Sequence, residues 1–221
     1  FSRHQPPSLR MITDRACRLL LVLSPLVFAA CQESGIADRA ETILQRLERE
    51  GNCNAILAIA PDAVQQARAL DSDPQRGPLN GVPVLVKDNI HVAGMPTTAG
   101  SLALLENIAE ADAPIIANLK RAGAVIVGKT NLSEWANFRS TSSTSGWSSV
   151  GGLTTNPYDP SRSACGSSSG SGAAVGAGLV DVAIGTETDG SVTCPAAMCG
   201  IVGLKPTVGL LSGEGIVPVS A

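Results

Sequence analysis

The chain has 221 residues, enough to bury a core as one large domain or two small ones. Hydrophobic residues make up 44% and charged residues 16%, which reads as globular and excludes a disordered chain. Sixteen Lys and Arg against 19 Asp and Glu give a formal net charge of −3, so nucleic acid, whose phosphates need a basic face, is not an expected partner.

The sequence opens on Phe1, and a natural start is Met11. Arg15 and Arg18 then precede the apolar run LLLVLSPLVFAA (19–30), too short to span a bilayer as a helix but suited to the apolar region of a signal peptide. Pro25 argues against a buried helix there. Phe28-Ala29-Ala30-Cys31 resembles a bacterial lipobox, which implies a lipid anchor at Cys31; cleavage near Ala30 without lipid is the alternative. The expected division is residues 1–30 as upstream residues and signal peptide, and 31–221 as the folded portion, exported to the periplasm or membrane-anchored. Residues 1–30 hold four arginines and one aspartate, so 12 basic side chains then face 18 acidic ones, a net of about −6. Export permits disulfides among Cys53, Cys165, Cys194 and Cys199, but they have no C-x-x-C spacing and only His91 to join them, so small buried thiols are the preferred expectation, with no metal and no cofactor.

IADRAETILQRLERE (36–50) places Ile36, Ala40, Ile43, Leu44 and Leu47 on one stripe, an amphipathic helix ended by Gly51. ILAIA (56–60) is a short strand, Pro61-Asp62 opens a helix to about Leu70, and 71–81 is a turn-rich loop. Val82 to Val86 is a β-branched strand that stops at Lys87-Asp88-Asn89. DAPIIANLKRA (112–122) is a helix capped by Asp112, and AVIVGKTN (124–131) the next buried strand. This alternation predicts an α/β fold with parallel strand pairs. NLSEWANF predicts a short helix. Residues 139–164 carry no periodicity, which marks a functional loop; Trp135, Phe138, Trp147 and Tyr158 in or just before it are expected to anchor it more than to wall a pocket.

The stretch Cys165 to Ser191, CGSSSGSGAAVGAGLVDVAIGTETDGS, predicts a serine-glycine loop, a helix of small residues able to pack closely, an apolar strand and a tight turn. The strand distinguishes it from a linker. CPAAMCG begins a helix with Pro195 at its N-terminus, and IVGLKPT (201–207) is a further strand.

GSSSG (166–170) fits the G-x-S-x-G nucleophile elbow centred on Ser168, but no histidine follows and no strand precedes it. The glycines at 170, 172 and 176 lack the strand a dinucleotide loop needs, and no Gly-Lys-Ser/Thr phosphate loop is present. With histidine so scarce, lysine is the remaining base. Lys87, Lys129 and Lys205 each close an apolar run, and spacing does not choose among them. Burial would free the amine of such a lysine; an ion pair with the neighbouring Asp88 is the competing fate of Lys87. A serine nucleophile activated by a desolvated lysine is the permitted chemistry.

GVPVLVKDNI, GAVIVGKTN, CGSSSGSGAAVGAG, IGTETDGS and GIVGLKPT, in this order, resemble the blocks of the amidase signature family over about residues 40–221. NLSEWANFRS, SSSGSGAA and GTETDGSVTCPA resemble its bacterial peptide amidases, which hydrolyse peptide C-terminal amides. The resemblance implies a mixed β-sheet core covered by helices on both faces, in a domain longer than this chain. It implies a Ser–Ser–Lys triad: Ser191 as nucleophile, Ser167 after a cis peptide as relay, Lys87 as base. Ser168 would support the network, and the turn Thr188, Asp189, Gly190 would bind the oxyanion, with N–H groups from Asp189, Gly190 and Ser191. The implied partner is a small-molecule or peptide amide. Asp189 and Thr193 depart from the glycine and arginine common in the family, which bears on substrate more than on mechanism. The alternatives are a non-catalytic envelope lipoprotein with this fold and a glutamine-hydrolysing amidotransferase subunit.

Overall fold

The computed structural model describes residues 35–50 and 53–219. The signal-peptide and lipobox expectations, from Met11 to Cys31, lie outside the described residues.

The centre of the sheet is a parallel pair. Strand β2 (Pro83–Lys87) runs beside β3 (Val125–Thr130), pairing Val86 with Lys129 and Lys87 with Thr130. All six residues of β3 and four of the five in β2 are buried, so both faces of the pair are covered. Val84, Leu85, Val86, Val125, Ile126 and Val127 fill the core, each contributing roughly 1.5–3 kcal/mol by burial. Strand β1 (Ile56–Ile59) pairs antiparallel with β3, and the later strand Val182–Ile184 pairs parallel with β2 at the opposite edge. Among the described residues the sheet is therefore four-stranded and mixed, in agreement with the implied fold. The alternation of strand and helix predicts only its parallel part.

Helix α1 (Ile36–Glu50) buries Ile36, Ala40 and Leu47 of the expected stripe. Its first N–H groups, on Ile36 and Ala37, donate at 2.9 and 3.0 Å to the carboxylate of Asp71, the last residue of α2 (Ala63–Asp71). Those bonds, from Ala37 first and Ile36 next, hold the Asp71 carboxyl below its ordinary range.

Helix α3 (Pro114–Arg121) starts at proline, two residues later than Asp112 suggested. Asp112 is not its cap: the carboxylate accepts from the Ala93 N–H at 2.8 Å and pairs with Lys120 at 2.8 Å. Residues Glu134–Asn137 make a 3-10 turn in which Trp135 and Ala136 take positive φ, so the expected short helix is not regular.

The long loop contains a two-stranded ribbon, β4 (Trp147–Ser148) against β5 (Gly152–Leu153). Asn131 holds it: the Ser148 hydroxyl donates to Asn131 Oδ1 at 2.7 Å, and Asn131 Nδ2 donates to the Gly152 carbonyl at 3.1 Å. Phe138 and Tyr158 do not anchor it, and Phe138 lines a cavity instead. Phe138 and Tyr158 are 58% and 67% exposed, and the Arg139 guanidinium lies 5.5 Å from the Trp147 ring centroid.

Helix α4 (Ser169–Gly176) is the small-residue helix, followed by β6 (Val182–Ile184) and α5 (Thr193–Met198). A Cβ on Gly170 would fall 2.5 Å from the Asn131 nitrogen, so only glycine lets α4 approach that backbone. Two expectations fail near the end of the chain. Residues 201–207 are not a strand; they pair with no strand among the described residues, and Val202 is 95% exposed. Cys165 and Cys194 are not free thiols but a disulfide, because the turn after β6 carries α5 back against the loop before α4. Cys53 and Cys199 are free and buried, as expected.

Candidate active site

Period-two geometry sends two buried lysines to opposite faces of the central pair. Lys129 shares a register position with Val86, and Lys87 is one residue further on. The two meet different fates. Lys129 Nζ lies 2.9 Å from Asp88 Oδ1 and donates to the Pro96 carbonyl at 2.7 Å. Asp88 also accepts from the Thr98 N–H at 3.0 Å and from the Thr98 hydroxyl. Burial lowers the Lys129 amine from its ordinary value, and Asp88 partly offsets this.

Asp88 is thus taken by Lys129, not by its neighbour Lys87. The Lys87 side chain is 0% exposed; its Nζ lies 2.7 Å from Ser167 Oγ and donates to Thr186 Oγ1 at 2.7 Å and to the Thr186 carbonyl at 3.3 Å. Desolvation pushes this amine from 10.5 down to about 7, against the attraction of the Glu187 carboxylate.

The serine loop is fixed from several sides. The Ser133 N–H donates to the Ser167 carbonyl at 3.0 Å. Ser168 Oγ donates to the Thr186 carbonyl at 3.1 Å and accepts from the Thr186 N–H at 3.2 Å. The Ser168 N–H donates to the Ser191 carbonyl at 3.0 Å, which joins the two serine-bearing segments directly. The Cys165–Cys194 disulfide joins them a second time. A Cβ on Gly185 would lie 2.6 Å from Ser168 Oγ, so this close approach requires glycine. The Gly166–Ser167 peptide is cis, as the resemblance implies.

Ser167 and Ser191 line one cavity of about 900 Å³, together with Thr188 and Asp189. No hydrogen bond joins the Ser167 and Ser191 side chains among the described residues. Lys87 and Ser167 are therefore in contact, Ser168 braces them, and Ser191 faces the same space. Gly190, at φ +73°, makes the turn before Ser191.

Sequence reasoning missed three groups. Thr186 receives the other two bonds of Lys87. Glu187 accepts from the N–H groups of Val192 and Thr193 at 2.7 and 2.8 Å. Burial alone would raise its carboxyl; the N–H groups of Thr193, Val192 and Gly190 outweigh that and hold it low. Lys205 lies 3.7 Å from Glu187 and donates to the Thr188 carbonyl at 2.9 Å, so the third candidate lysine braces the turn and does not reach Ser167. The third group, Asn89, lines the cavity and donates through Nδ2 to Thr186 Oγ1 at 3.0 Å. The available signal was position: Asn89 follows Lys87-Asp88, and Thr186 and Glu187 open the TETDGS turn.

Residues 38–221 match the family model described as Amidase. The chain belongs to the amidase family. Among solved amidase structures, the native peptide amidase from Stenotrophomonas maltophilia is 48% identical, with a TM-score of 0.82 over 97% of this chain and 44% of that one. A putative amidase from Arthroderma benhamiae is 45% identical over 81% of this chain and 31% of its own length. A glutamyl-tRNA(Gln) amidotransferase component from Methanosarcina barkeri is 46% identical over 74% of this chain and 34% of its own length. The chain thus spans about a third of the length of the curated amidase relatives it matches.

Proposed function

We propose that the protein is a Ser–Ser–Lys amidase that hydrolyses a carboxamide C–N bond through an acyl-enzyme on Ser191, with peptide C-terminal amides as its substrates. The observation that carries this is the contact of the buried Lys87 amine with Ser167. A neutral amine has two N–H groups and one lone pair. The Thr186 hydroxyl and carbonyl match the two donors, which leaves the lone pair toward the Ser167 hydroxyl.

In the proposed reaction Lys87 takes the Ser167 proton as Ser167 takes that of Ser191, and the Ser191 oxygen bonds to the substrate carbonyl carbon. The proton returns along the same path to the leaving nitrogen, the C–N bond breaks, and ammonia departs. Water then repeats the sequence on the ester and frees Ser191. Thr188, Asp189 and Gly190 form the turn facing the oxyanion. Because the Gly190 N–H supports Glu187, we assign the oxyanion donors to the N–H groups of Asp189 and Ser191. The 48% identity to a peptide amidase supports the substrate class.

The test is turnover of peptide amides by the full-length protein beside Lys87→Ala and Ser191→Ala. Undiminished turnover in either variant rejects the mechanism, and a fluorophosphonate probe that leaves Ser191 unlabelled returns the protein to a binding role. The relative in an amidotransferase favours glutamine hydrolysis as second reading; co-purification with amidotransferase subunits would support it. For location we propose export to the periplasm or membrane. The disulfide supports an oxidising compartment, and absence of the protein from an isolated envelope and periplasmic fraction would count against it.

A further inference from the structure

Asn89 stands at the end of β2, two residues beyond Lys87, and is 2% exposed. Its backbone carbonyl accepts from the Val217 N–H at 2.8 Å, and its Nδ2 donates to Thr186 Oγ1 at 3.0 Å. Its Oδ1 is buried and has no hydrogen-bond partner among the described residues. Buried polar atoms of this kind are rare, and leaving one unpaired is unfavourable. Asn89 also lines the cavity that holds Ser167 and Ser191, which makes a donor entering that cavity the candidate partner.

The position narrows which donor. Thr186 Oγ1 receives both Asn89 Nδ2 and Lys87 Nζ, and Lys87 reaches Ser167 at 2.7 Å. Three hydrogen bonds, through Thr186 and Lys87, therefore link Asn89 to the hydroxyl that would return the proton to the leaving group. A primary carboxamide brings a nitrogen with two N–H groups to that hydroxyl, whereas an ester brings an oxygen with none.

Building on the amidase reading above, we propose that Asn89 Oδ1 accepts an N–H of the scissile carboxamide and so selects primary amides over esters. The amide nitrogen is held with one N–H on Asn89 and its lone pair free to take the relayed proton. A site built around such a bond discriminates against the analogue that lacks the donor. If the Asn89 amide were turned over, its Nδ2 would face the cavity and serve the substrate carbonyl, which amide and ester share.

The experiment compares one peptide amide with its methyl ester on the full-length protein, and on Asn89→Leu and Asn89→Ala. The expected result is a fall of tenfold to a hundredfold in the amide-to-ester ratio of kcat/KM in both variants. Fluorophosphonate labelling of Ser191 and the melting temperature check the fold. An unchanged ratio, with both substrates reduced equally or neither reduced, overturns the proposal and leaves the amidase reading intact. If the unaltered protein turns over neither substrate and Ser191 stays unlabelled, both readings fall. Should both variants lose labelling, competition by a primary carboxamide against its methyl ketone isostere on the unaltered protein decides. Equal inhibition constants overturn the proposal, and at least tenfold tighter carboxamide binding supports it.

Discussion

Lys87 Nζ lies 2.7 Å from Ser167 Oγ, although 80 positions separate the two residues in the chain. The strand end supplies the amine and the loop before α4 supplies the hydroxyl, both out of water.

Because burial brings the Lys87 amine down to about 7, its neutral form grows as pH rises. The expected kcat/KM for amide hydrolysis climbs about tenfold per pH unit below 7 and levels off above it. Lys87→Met should lower it by about 10²- to 10⁴-fold, the usual range for a lost general base. A pH–rate profile with an acid limb near 10 would refute the neutral-amine account.

The same burial links stability to pH. The folded amine releases its proton near 7 and the unfolded one near 10.5, so between these values the unfolded chain holds more protons. Stability therefore rises with pH across that window, and the burden of a buried ammonium is fully present below it. Relative to Lys87→Met, the native protein should gain roughly 2–3 kcal/mol between pH 7 and 9 in denaturant titrations.

Lys129 behaves as the structural counterpart of Lys87. Its partner Asp88 is equally buried, so Lys129→Met strands a carboxylate in the core and should destabilise the fold by about 3–5 kcal/mol. The double variant Lys129→Met with Asp88→Asn should recover much of that loss in chemical denaturation. Equal stability of the single and double variants would show that the charge is not the cause.

Cys165–Cys194 closes a loop with a sequence separation of 29. Loop-closure entropy at that length gives about 3–4 kcal/mol of stabilisation. Reduction, or Cys194→Ser with Cys165→Ser, should lower the melting temperature by that measure. An unshifted melt under full reduction would mean the unfolded chain gains nothing from release.

Much of this arrangement could be read before any coordinates, because strand and helix periodicities are local. The β-branched runs that end at Lys87 and Thr130 and the α1 stripe follow from neighbouring residues alone. The choice among Lys87, Lys129 and Lys205 did not, since it turns on which partner sits across the fold: Ser167, Asp88 and Glu187 respectively. The motif resemblance placed Lys87 with Ser167, while Thr186, Glu187 and Asn89 stayed hidden as ordinary polar residues. The disulfide escaped for the same reason: nothing in the spacing of Cys165 and Cys194 says that two turns fold back on each other. The run IVGLKPT misled because β-branched composition shows a capacity for pairing, and pairing also needs a neighbour.

β6 has a sheet partner on one side only among the described residues, and beyond α5 Leu204, Val208 and Leu210 are 71–89% exposed. An open strand edge and exposed oily side chains are each adhesive. Handled by itself in dilute buffer, this polypeptide should clump or cling to column resin, so chromatographic behaviour will be the first obstacle at the bench.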